Sequence, residues 1–413
     1  MFGGSHQSKT PEERSHPALS LIFKPVYRRG GAIVKLDYPS HVEIDLDRLH
    51  ANIDLISRKA GTPLAPVIKA DAYGHGAVAI ARQLSARSEV EAFCVWTLRE
   101  AVRLRKHGIK GRIIVLGGVF LEEAGEAVNL GLEVVISSLT EAKALAGKAG
   151  RRMATAHLKI NTGMTRLGAG PEDVLTILRS VSRMKKISLA GVMTHLADSD
   201  KPRSKMTKAQ LTLFDDILSS AASAGIAIPP RHTANTGAIF LHPASRHELA
   251  RPGIGVYGVQ EFGGKDAGLK PILSLRAKVA LVREVKKGEP VSYGMTWISP
   301  GRRKVAVARV GYADGYSRGL SNKAHAIIGG KKIRQIGIIC MDNCLFDVTG
   351  LKVKVGDTVT LIGSDGRQTM PMKKLARALD TISYEIMCGI SWRLPRVYLQ
   401  GGKVSRSSTG AAR

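Results

Sequence analysis

The chain has 413 residues, of which 44% are hydrophobic and 23% are charged. These values exclude a wholly disordered protein, and the length allows two or three domains or one barrel with a smaller partner domain. The 62 Lys and Arg residues outnumber the 34 Asp and Glu residues, which gives a formal net charge of +28. This excess suits anionic partners, but the sequence has no recognisable nucleic-acid-binding module. We therefore interpret it as a basic surface and not as a nucleic-acid-binding site.

The four cysteines exclude a disulfide-stabilised scaffold, and we expect them to be buried thiols in a reducing compartment. Cys340 and Cys344 lack a second ligand pair at zinc spacing, so no metal site is predicted. No run approaches the ~20 apolar residues of a membrane span. The N-terminus has acidic residues and proline where a signal peptide would have an apolar core, so we expect a cytoplasmic protein.

Residues 1–38 are predicted to be an irregular extension, because polar residues, Gly and Pro dominate there. Over residues 39–272, short apolar runs alternate with helical patterns about eight times. For example, residues 41–46 alternate like a strand, and helical spacing follows over residues 49–56. Repeated strand–helix units require parallel strands. Their number and length favour a (β/α)8 TIM-type barrel, with a doubly wound sheet as the alternative.

After residue 272, strand-like runs broken by Gly-containing turns replace this alternation, and helical patterns return only near residues 371–388. Residues 273–400 are therefore predicted to form a mostly-β C-terminal domain. Residues 401–413 are predicted to be a flexible tail.

In barrels of this kind, the working residues lie at the carboxyl ends of the strands. Lys69 ends the apolar run at residues 66–68. This is unusual, since Lys is seldom buried unless it is paired or functional. Desolvation lowers the pKa of a lysine, which suits it to nucleophilic attack on a carbonyl and to proton transfer. The alternative is a lysine whose amine extends into solvent. The predicted strand ends carry Lys69, Arg166, His195, Asn235 and Arg251.

Residues 253–258 match the pattern GxGxxG, which is weak evidence for a dinucleotide site because Pro252 precedes it and no clear helix follows. A barrel offers a better interpretation, since phosphate groups bind at the loops after its seventh and eighth strands. Residues 235–236 and 253–254 have these positions. Tyr73, in a glycine-punctuated loop, could add a hydrogen bond. A phosphate-bearing cofactor beside a strand-end lysine indicates pyridoxal 5'-phosphate.

Residues 66–76 read Pro-Val-Ile-Lys-Ala-Asp-Ala-Tyr-Gly-His-Gly and resemble the cofactor-attachment segment of alanine racemases. Residues 159–168 resemble the family's substrate-arginine segment, and residues 194–197 resemble the segment whose histidine faces the cofactor. Residues 291–297 resemble the segment of the catalytic tyrosine. The resemblance covers about residues 40–400. It also includes residues 232–236, 251–254, 311–315, 340–342 and 391–396.

The resemblance implies two proton-exchanging groups on opposite faces of the substrate. Lys69 would attach the cofactor and serve the D-enantiomer, and Tyr293 would serve the L-enantiomer. Tyrosine ordinarily has a pKa near 10 and needs help as a base near neutral pH. The family supplies that help through a chain of hydrogen bonds, here to His195 and Arg251. The implied cofactor-binding residues are Lys69, Tyr73, His195, Asn235, Thr236, Arg251, Gly253 and Ile254, and the implied substrate-binding residues are Arg166 and Met341.

By the same resemblance, Arg251 would face the pyridine nitrogen. A guanidinium donates a hydrogen bond but does not give up its proton, so the ring would be a weaker electron sink than in most pyridoxal enzymes. This favours racemisation over decarboxylation, whose enzymes normally use a carboxylate there. The resemblance also implies a homodimer in which Tyr293 and Met341 reach the other chain's site, and a role in supplying D-alanine for peptidoglycan.

Some positions depart from the family's pattern. Trp392 replaces a common tyrosine, Ile338 a common arginine and Asn161 a common aspartate, and these changes bear on substrate size more than on reaction type. Lys159 occupies a position that is often carbamylated in the family. The alternatives are a serine or broad-specificity racemase on the same scaffold and, from another class, a pyridoxal-phosphate-binding homeostasis protein, which would need neither Tyr293 nor the β domain.

Overall fold

The structure is a computed structural model that describes residues 26–29, 32–35 and 39–408. Its strands are β1 Val26–Arg29, β2 Ala32–Lys35, β3 Ser40–Asp45, β4 Ala92–Val95, β5 Arg112–Val115, β6 Glu133–Ile136, β7 Ala154–Lys159, β8 Ile187–Met193, β9 Arg231–His232, β10 Leu273–Val285, β11 Arg303–Ala308, β12 His325–Ile328, β13 Lys331–Gln335, β14 Cys344–Asp347, β15 Thr358–Asp365, β16 Gln368–Met370, β17 Arg396–Gln400 and β18 Lys403–Ser408. Its helices are α1 Leu46–Ala60, α2 Lys69–Tyr73, α3 Ala77–Leu84, α4 Leu98–Lys106, α5 Ala124–Asn129, α6 Leu139–Lys148, α7 Val174–Ser182, α8 Lys205–Ser223, α9 Thr236–Leu241, α10 Met372–Ala378 and α11 Ser383–Cys388.

Strands β4 to β9 form a parallel sheet in chain order. The segment around Leu64 closes this sheet into a barrel, because Leu64 pairs in parallel with both Val90 and Ala250. On the other side of the closure, the Arg251 backbone N–H donates to the Ala234 carbonyl at 2.8 Å, just after β9. The closed barrel confirms the predicted (β/α)8 fold, and a doubly wound sheet is not what forms.

Several helices around the barrel begin at side-chain caps and bury one apolar face. Asp45 caps α1, and Thr97 and Ser138 form capping boxes at the start of α4 and α6. In α1, Leu49 and Ile53 are fully buried. Burying each such side chain stabilises the fold by roughly 1.5–3 kcal/mol. The apolar residues that recur at helical spacing therefore hold the helices against the barrel.

The C-terminal part is built around the long strand β10. In the described residues it belongs to a mixed sheet of ten strands, which is antiparallel except where β17 lies parallel to β3. Because β15 pairs with β10 as well as with β12, the strands β10, β11, β14, β13, β12 and β15 close on themselves. This confirms the predicted mostly-β C-terminal domain. The limits 39–272 and 273–400 stay a prediction.

One predicted strand lies in a different sheet from the one expected. The strand predicted at residues 41–46 is expected to open the barrel, but the observed strand β3 pairs with β10 and β17 in the C-terminal sheet. Its alternation is misleading because both faces are buried: Glu43, on the polar face, is 3% exposed and forms an ion pair with Arg276 at 3.3 Å. Alternation reports which residues share a face, and it does not report which strand they pair with.

The two ends of the chain also differ from expectation. Within the extension predicted to be irregular, β1 and β2 pair as an antiparallel hairpin. Within the predicted flexible tail, β18 pairs with β17. The remaining parts of both predictions lie outside the described residues. Of the cysteines, Cys94 and Cys344 are buried as expected, whereas Cys340 is half-buried and Cys388 is exposed.

Gly258 joins the barrel to the C-terminal domain in a conformation that a side chain would not tolerate. Its φ is +77°, and an added Cβ would overlap the Lys270 carbonyl. We expect Gly258→Ala to lower the free energy of unfolding by about 3 kcal/mol or more, because left-handed strain and overpacking add. Gly61→Ala is the control, with φ +67° but open space around it, and should cost only about 1 kcal/mol. Urea unfolding measures both, and equal losses would contradict the steric argument.

Candidate active site

Lys69 lies at the carboxyl end of the segment that closes the barrel, directly after Ile68, whose N–H donates to the Cys94 carbonyl at 2.8 Å. The chain then makes a left-handed helical turn, with φ between +50° and +55° over residues 70–73. Left-handed geometry costs roughly 1–2 kcal/mol per non-glycine residue. Such a run persists only where the surroundings hold it in place, so the partners of this turn are part of the site.

The barrel holds this turn from one side. The Ala70 N–H donates to Glu100 Oε1 at 2.7 Å, and the Trp96 N–H donates to Oε2 of the same carboxylate at 2.8 Å. Further along, Asp71 Oδ1 accepts from the Ala77 N–H at 2.9 Å. Glu100 thus ties the end of β4 to the lysine turn.

The C-terminal domain holds the same turn from the other side. The Arg396 guanidinium donates to the Gly74 carbonyl at 3.1 Å, and the Tyr398 hydroxyl donates to the His75 carbonyl at 2.9 Å. Both side chains lie on β17. Arg396 lies in a segment that resembles the family's, but no role for it follows from the sequence, and Tyr398 has no signal in the sequence.

Trp96 is a site residue that the sequence analysis missed. The centre of its ring lies 5.1 Å from Lys69 Nζ and 5.5 Å from Arg166 Cζ, both within the range of a cation–π contact. Burial, and then the nearby Arg166 guanidinium, lower the pKa of Lys69. The one signal that could have found Trp96 is its position at the end of a barrel strand.

Buried cations crowd the mouth of the barrel. Lys159 is 4% exposed, and burial, followed by the charge of Arg251, lowers its pKa to about 8. A lowered pKa increases the neutral amine, the form that carbamylation needs. Burial and the same cations hold the pKa of His195 well below its usual value, so this imidazole is neutral. The arrangement attracts anions such as carboxylates and phosphates.

Arg251 is buried, and both of its amino groups donate to protein acceptors. Nη1 donates to His232 Nδ1 at 2.8 Å and also to the His232 carbonyl, and Nη2 donates to the Thr194 carbonyl at 2.8 Å. Burial lowers the pKa of Arg251 to about 10, so it stays protonated at neutral pH. Among the residues that the structure describes, no carboxylate forms an ion pair with it.

The loops that were predicted to bind phosphate meet at Thr236. Its hydroxyl accepts from the backbone N–H groups of Gly253 at 2.9 Å and Gly255 at 3.3 Å, at the start of the turn Ile254–Tyr257. A Cβ on Gly253 would lie 2.9 Å from the Tyr73 hydroxyl, so the glycine allows this tyrosine to approach.

Asn235 lies in the same region, but its side-chain oxygen has another partner. It caps α9 by accepting from the Ala238 N–H at 3.0 Å, and it also accepts from the Ser199 hydroxyl at 2.8 Å. This contact shapes the loop beside Thr236. The predicted contact of Asn235 with a cofactor stays a prediction.

Tyr293 and Met341 are not brought to the barrel mouth of their own chain. Tyr293 is 69% exposed and Met341 is 54% exposed. Within the described part of the chain, Tyr293 has no side-chain hydrogen bond to a barrel residue. Their loops lie together, because the Ser292 hydroxyl donates to the Ile338 carbonyl at 2.5 Å. Large exposed apolar patches are typical of contact surfaces. The exposed apolar side chains of the C-terminal part include Tyr293, Met295, Ile298, Tyr312, Met341 and Trp392.

Comparison with known families matches both parts of the chain. The model of the alanine racemase N-terminal domain matches residues 44–261, and that of the alanine racemase C-terminal domain matches residues 272–398. The chain belongs to the alanine racemase family. Alanine racemases are isomerases, so the chain is an enzyme of that class, and the family resemblance seen in the sequence is confirmed.

Individual relatives agree with this family. The chain is 38% identical over 378 residues to an alanine racemase of Symbiobacterium thermophilum, which covers 89% of this chain and 98% of that protein. It is 39% identical over 373 residues to an alanine racemase of Geobacter sulfurreducens, and this match covers 87% of this chain and 97% of that protein. The structure of the alanine racemase of Clostridium difficile 630 superimposes with a TM-score of 0.87 at 31% identity, and covers 92% of this chain and all of that one.

The described residues include neither a candidate membrane span nor a candidate metal cluster. No helix there is long and apolar enough to cross a bilayer. No group of three or more His, Cys, Asp or Glu side chains there could hold a metal ion.

His75 makes the stability of the lysine turn depend on pH. It is fully buried, and its Nδ1–H donates to the Ala72 carbonyl at 2.8 Å. Burial lowers its pKa to about 4. Because an unfolded histidine takes up a proton near pH 6.5, the unfolded state binds more protons between these values. The free energy of unfolding therefore falls as the pH drops from about 6.5 towards 4, by roughly 3 kcal/mol for this group.

His75→Asn keeps a donor that does not titrate in this range. We expect its Tm to fall less than that of the wild type between pH 7.5 and pH 4.5, while the exposed control His107→Asn follows the wild type. Calorimetric Tm values across this range measure the difference. An unchanged pH slope in His75→Asn would show that His75 is not the linked group.

Proposed function

We propose that this chain interconverts L-alanine and D-alanine with pyridoxal 5'-phosphate bound in the barrel mouth, and with Lys69 and Tyr293 as the two proton-exchanging groups. The observation that carries the proposal is the convergence of the Lys69 amine with the Arg166 and Arg251 guanidinium groups at the carboxyl ends of the barrel strands. The supply of D-alanine for peptidoglycan rests on family resemblance alone.

The residues at the barrel mouth fit this cofactor. Lys69 offers an amine of lowered pKa for its aldehyde. The Thr236 hydroxyl, which lies beside Gly253, and the Tyr73 hydroxyl offer donors for its phosphate. Arg251 would offer its Nε–H, the donor that Nη1 and Nη2 leave over, to the pyridine nitrogen. When bound, the cofactor withdraws electrons from the substrate α-carbon and makes the α-proton removable.

The charges of the site explain which groups move protons and which do not. Lys69 exchanges a proton readily because burial lowers its pKa. Arg251, with a pKa of about 10, donates a hydrogen bond at neutral pH without giving up its proton. Arg166 is exposed at the barrel mouth and suits the substrate carboxylate, with which a guanidinium can form paired hydrogen bonds.

Tyr293 completes the reaction from a second copy of the chain. Racemisation needs a proton removed from one face of the α-carbon and one delivered to the other, so two groups on opposite faces avoid turning the substrate over. The exposure of Tyr293 and Met341, and of the apolar surface around them, supports a homodimer in which these residues cover the partner's barrel mouth.

Other readings have less support. A pyridoxal-phosphate-binding homeostasis protein would leave the C-terminal domain and Tyr293 without a role. A serine or broad-specificity racemase shares the same core, and no observation on the described residues favours it over alanine. Binding of nucleic acid rests on net charge alone, and location in the cytoplasm stays a prediction.

Lys69→Ala and Tyr293→Phe test the two groups separately. Lys69→Ala should lose the visible absorbance of the lysine-linked cofactor and at least about 10³-fold in kcat, while the exposed control Lys143→Ala keeps both. Tyr293→Phe should slow the exchange of the α-proton of L-alanine more than that of D-alanine. A Lys69→Ala protein that racemises alanine at the wild-type rate would overturn the assignment.

Mixing the two variants tests whether the site is shared. Each homodimer should be nearly inactive. After subunit exchange, a mixed dimer holds one site with both Lys69 and Tyr293, so activity should return to roughly a quarter of that of the wild type. Two Lys69→Ala preparations mixed with each other are the control. No recovery despite demonstrated exchange would refute the cross-subunit tyrosine.

A further inference from the structure

A line of hydrogen bonds crosses the barrel interior from Arg251 to strand β6. Arg251 Nη1 contacts His232 Nδ1 at 2.8 Å, and His232 Nε2 contacts His157 Nδ1 at 2.9 Å. His157 Nε2 then contacts Glu133 Oε2 at 2.8 Å. Glu133 is 7% exposed, and each histidine is 1% exposed. This line, Glu133–His157–His232, leads away from the barrel mouth and has no part in the proton exchanges proposed above.

Only one arrangement of protons satisfies the whole line. Arg251 can only donate, so His232 Nδ1 must accept, and the His232 proton lies on Nε2. That proton is donated to His157 Nδ1, so the His157 proton also lies on Nε2 and is donated to the carboxylate of Glu133. Both imidazoles are neutral, which agrees with the lowering of their pKa values by burial.

The neighbouring strand leaves room for this line. Strand β8 carries Gly191 beside the two rings, where an added Cβ would overlap His157 Nδ1 and lie 2.8 Å from His232 Nε2. The pairing of β7 with β8 also shifts register between Ala156 and His157. A glycine and a register shift at the same point make the space that the two imidazoles occupy.

The far end of the line is a stable anion. Burial raises the pKa of Glu133, but the hydrogen bonds from His157 and Arg112 outweigh it and bring the pKa to about 2. Arg112 Nε lies 2.6 Å from Glu133 Oε1, and Arg112 also pairs with Glu91. The other ionisable groups that face the line from packed elements are Cys94, Arg105 and His247.

We propose that Glu133, His157 and His232 are positioning residues that fix the orientation of Arg251. The line, together with the His232 carbonyl, holds Nη1, and the Thr194 and Thr233 carbonyls hold Nη2. This leaves Nε–H as the donor of Arg251 that has no partner among the described residues. This donor is then presented to the pyridine nitrogen. The inference rests on the cofactor placement proposed above.

The first test reads the protons directly. In full-length protein without cofactor, long-range 15N–1H spectra of labelled histidine distinguish the two neutral tautomers and the imidazolium. We expect His157 and His232 to be Nε2–H tautomers at neutral pH and at pH 5.5. An Nδ1–H tautomer or an imidazolium at either residue would overturn the proposal. Because no cofactor is present, a failure of the line is distinguishable from a failure of the proposed racemisation.

The second test breaks the far end. Glu133→Leu removes the acceptor, so His157 should populate the Nδ1–H tautomer, and kcat of the holoenzyme should fall about tenfold or more while KM for alanine stays within about threefold. Glu133→Gln keeps an acceptor and should restore the Nε2–H tautomer and most of kcat. Glu91→Leu removes the other partner of Arg112 and should change neither. An altered tautomer with kcat within twofold of the wild type would overturn the positioning role.

If Glu133→Leu does not fold, Glu133→Gln and the wild type still decide the outcome. The wild-type tautomers test the direction of the line. A His232→Leu variant breaks the line next to Arg251 and gives the kcat expected without it. A Glu133→Gln protein with wild-type tautomers but an equally low kcat would also overturn the proposal, because an intact line would then not support catalysis.

Discussion

The left-handed turn over residues 70–73 exists because hydrogen bonds hold it from two directions. Glu100 of the barrel binds its first N–H, and Arg396 of β17 binds the carbonyl of Gly74 at its end. The strain of this turn is several kcal/mol at roughly 1–2 kcal/mol per residue, so neither the sequence of the turn nor the barrel alone would favour it. The position of Lys69 therefore depends on the packing of the C-terminal sheet against the barrel. Within that sheet, β17 lies beside β3.

Electrostatics divides the barrel into two ends with different tasks. At the mouth, Lys69, Lys159, Arg166 and Arg251 attract anions, and His195 stays neutral because burial and these cations oppose its protonation. At the other end of the barrel interior, the Glu133 carboxylate lies beyond the two neutral imidazoles and is paired with Arg112. Burial of Lys159 and Arg251 is tolerable where anionic ligands are expected to bind, since an unpaired buried charge is otherwise costly.

The sequence predicts the barrel and the residues at its mouth because carboxyl ends of parallel strands converge, which brings Lys69 and Arg251 together. Arg166 lies in the loop after β7, so its exact position depends on that loop. It does not predict the role of Trp96, since an aromatic residue at a strand end is also typical of a core. Glu133 and His157 lie inside strands and resemble ordinary polar positions of an alternating pattern. The sheet that contains β3 depends on a pairing across more than 200 residues, which periodicity does not report.

The most direct test of the account follows the α-proton when L-alanine is racemised by the wild-type holoenzyme in deuterated water. If Tyr293 removes the proton from one face and Lys69 delivers another from solvent to the other face, the first D-alanine formed carries deuterium while the remaining L-alanine keeps its proton. Proton NMR and mass spectrometry at early times measure both pools. D-alanine that first appears with the original proton would contradict the account, because a single group would then have served both faces.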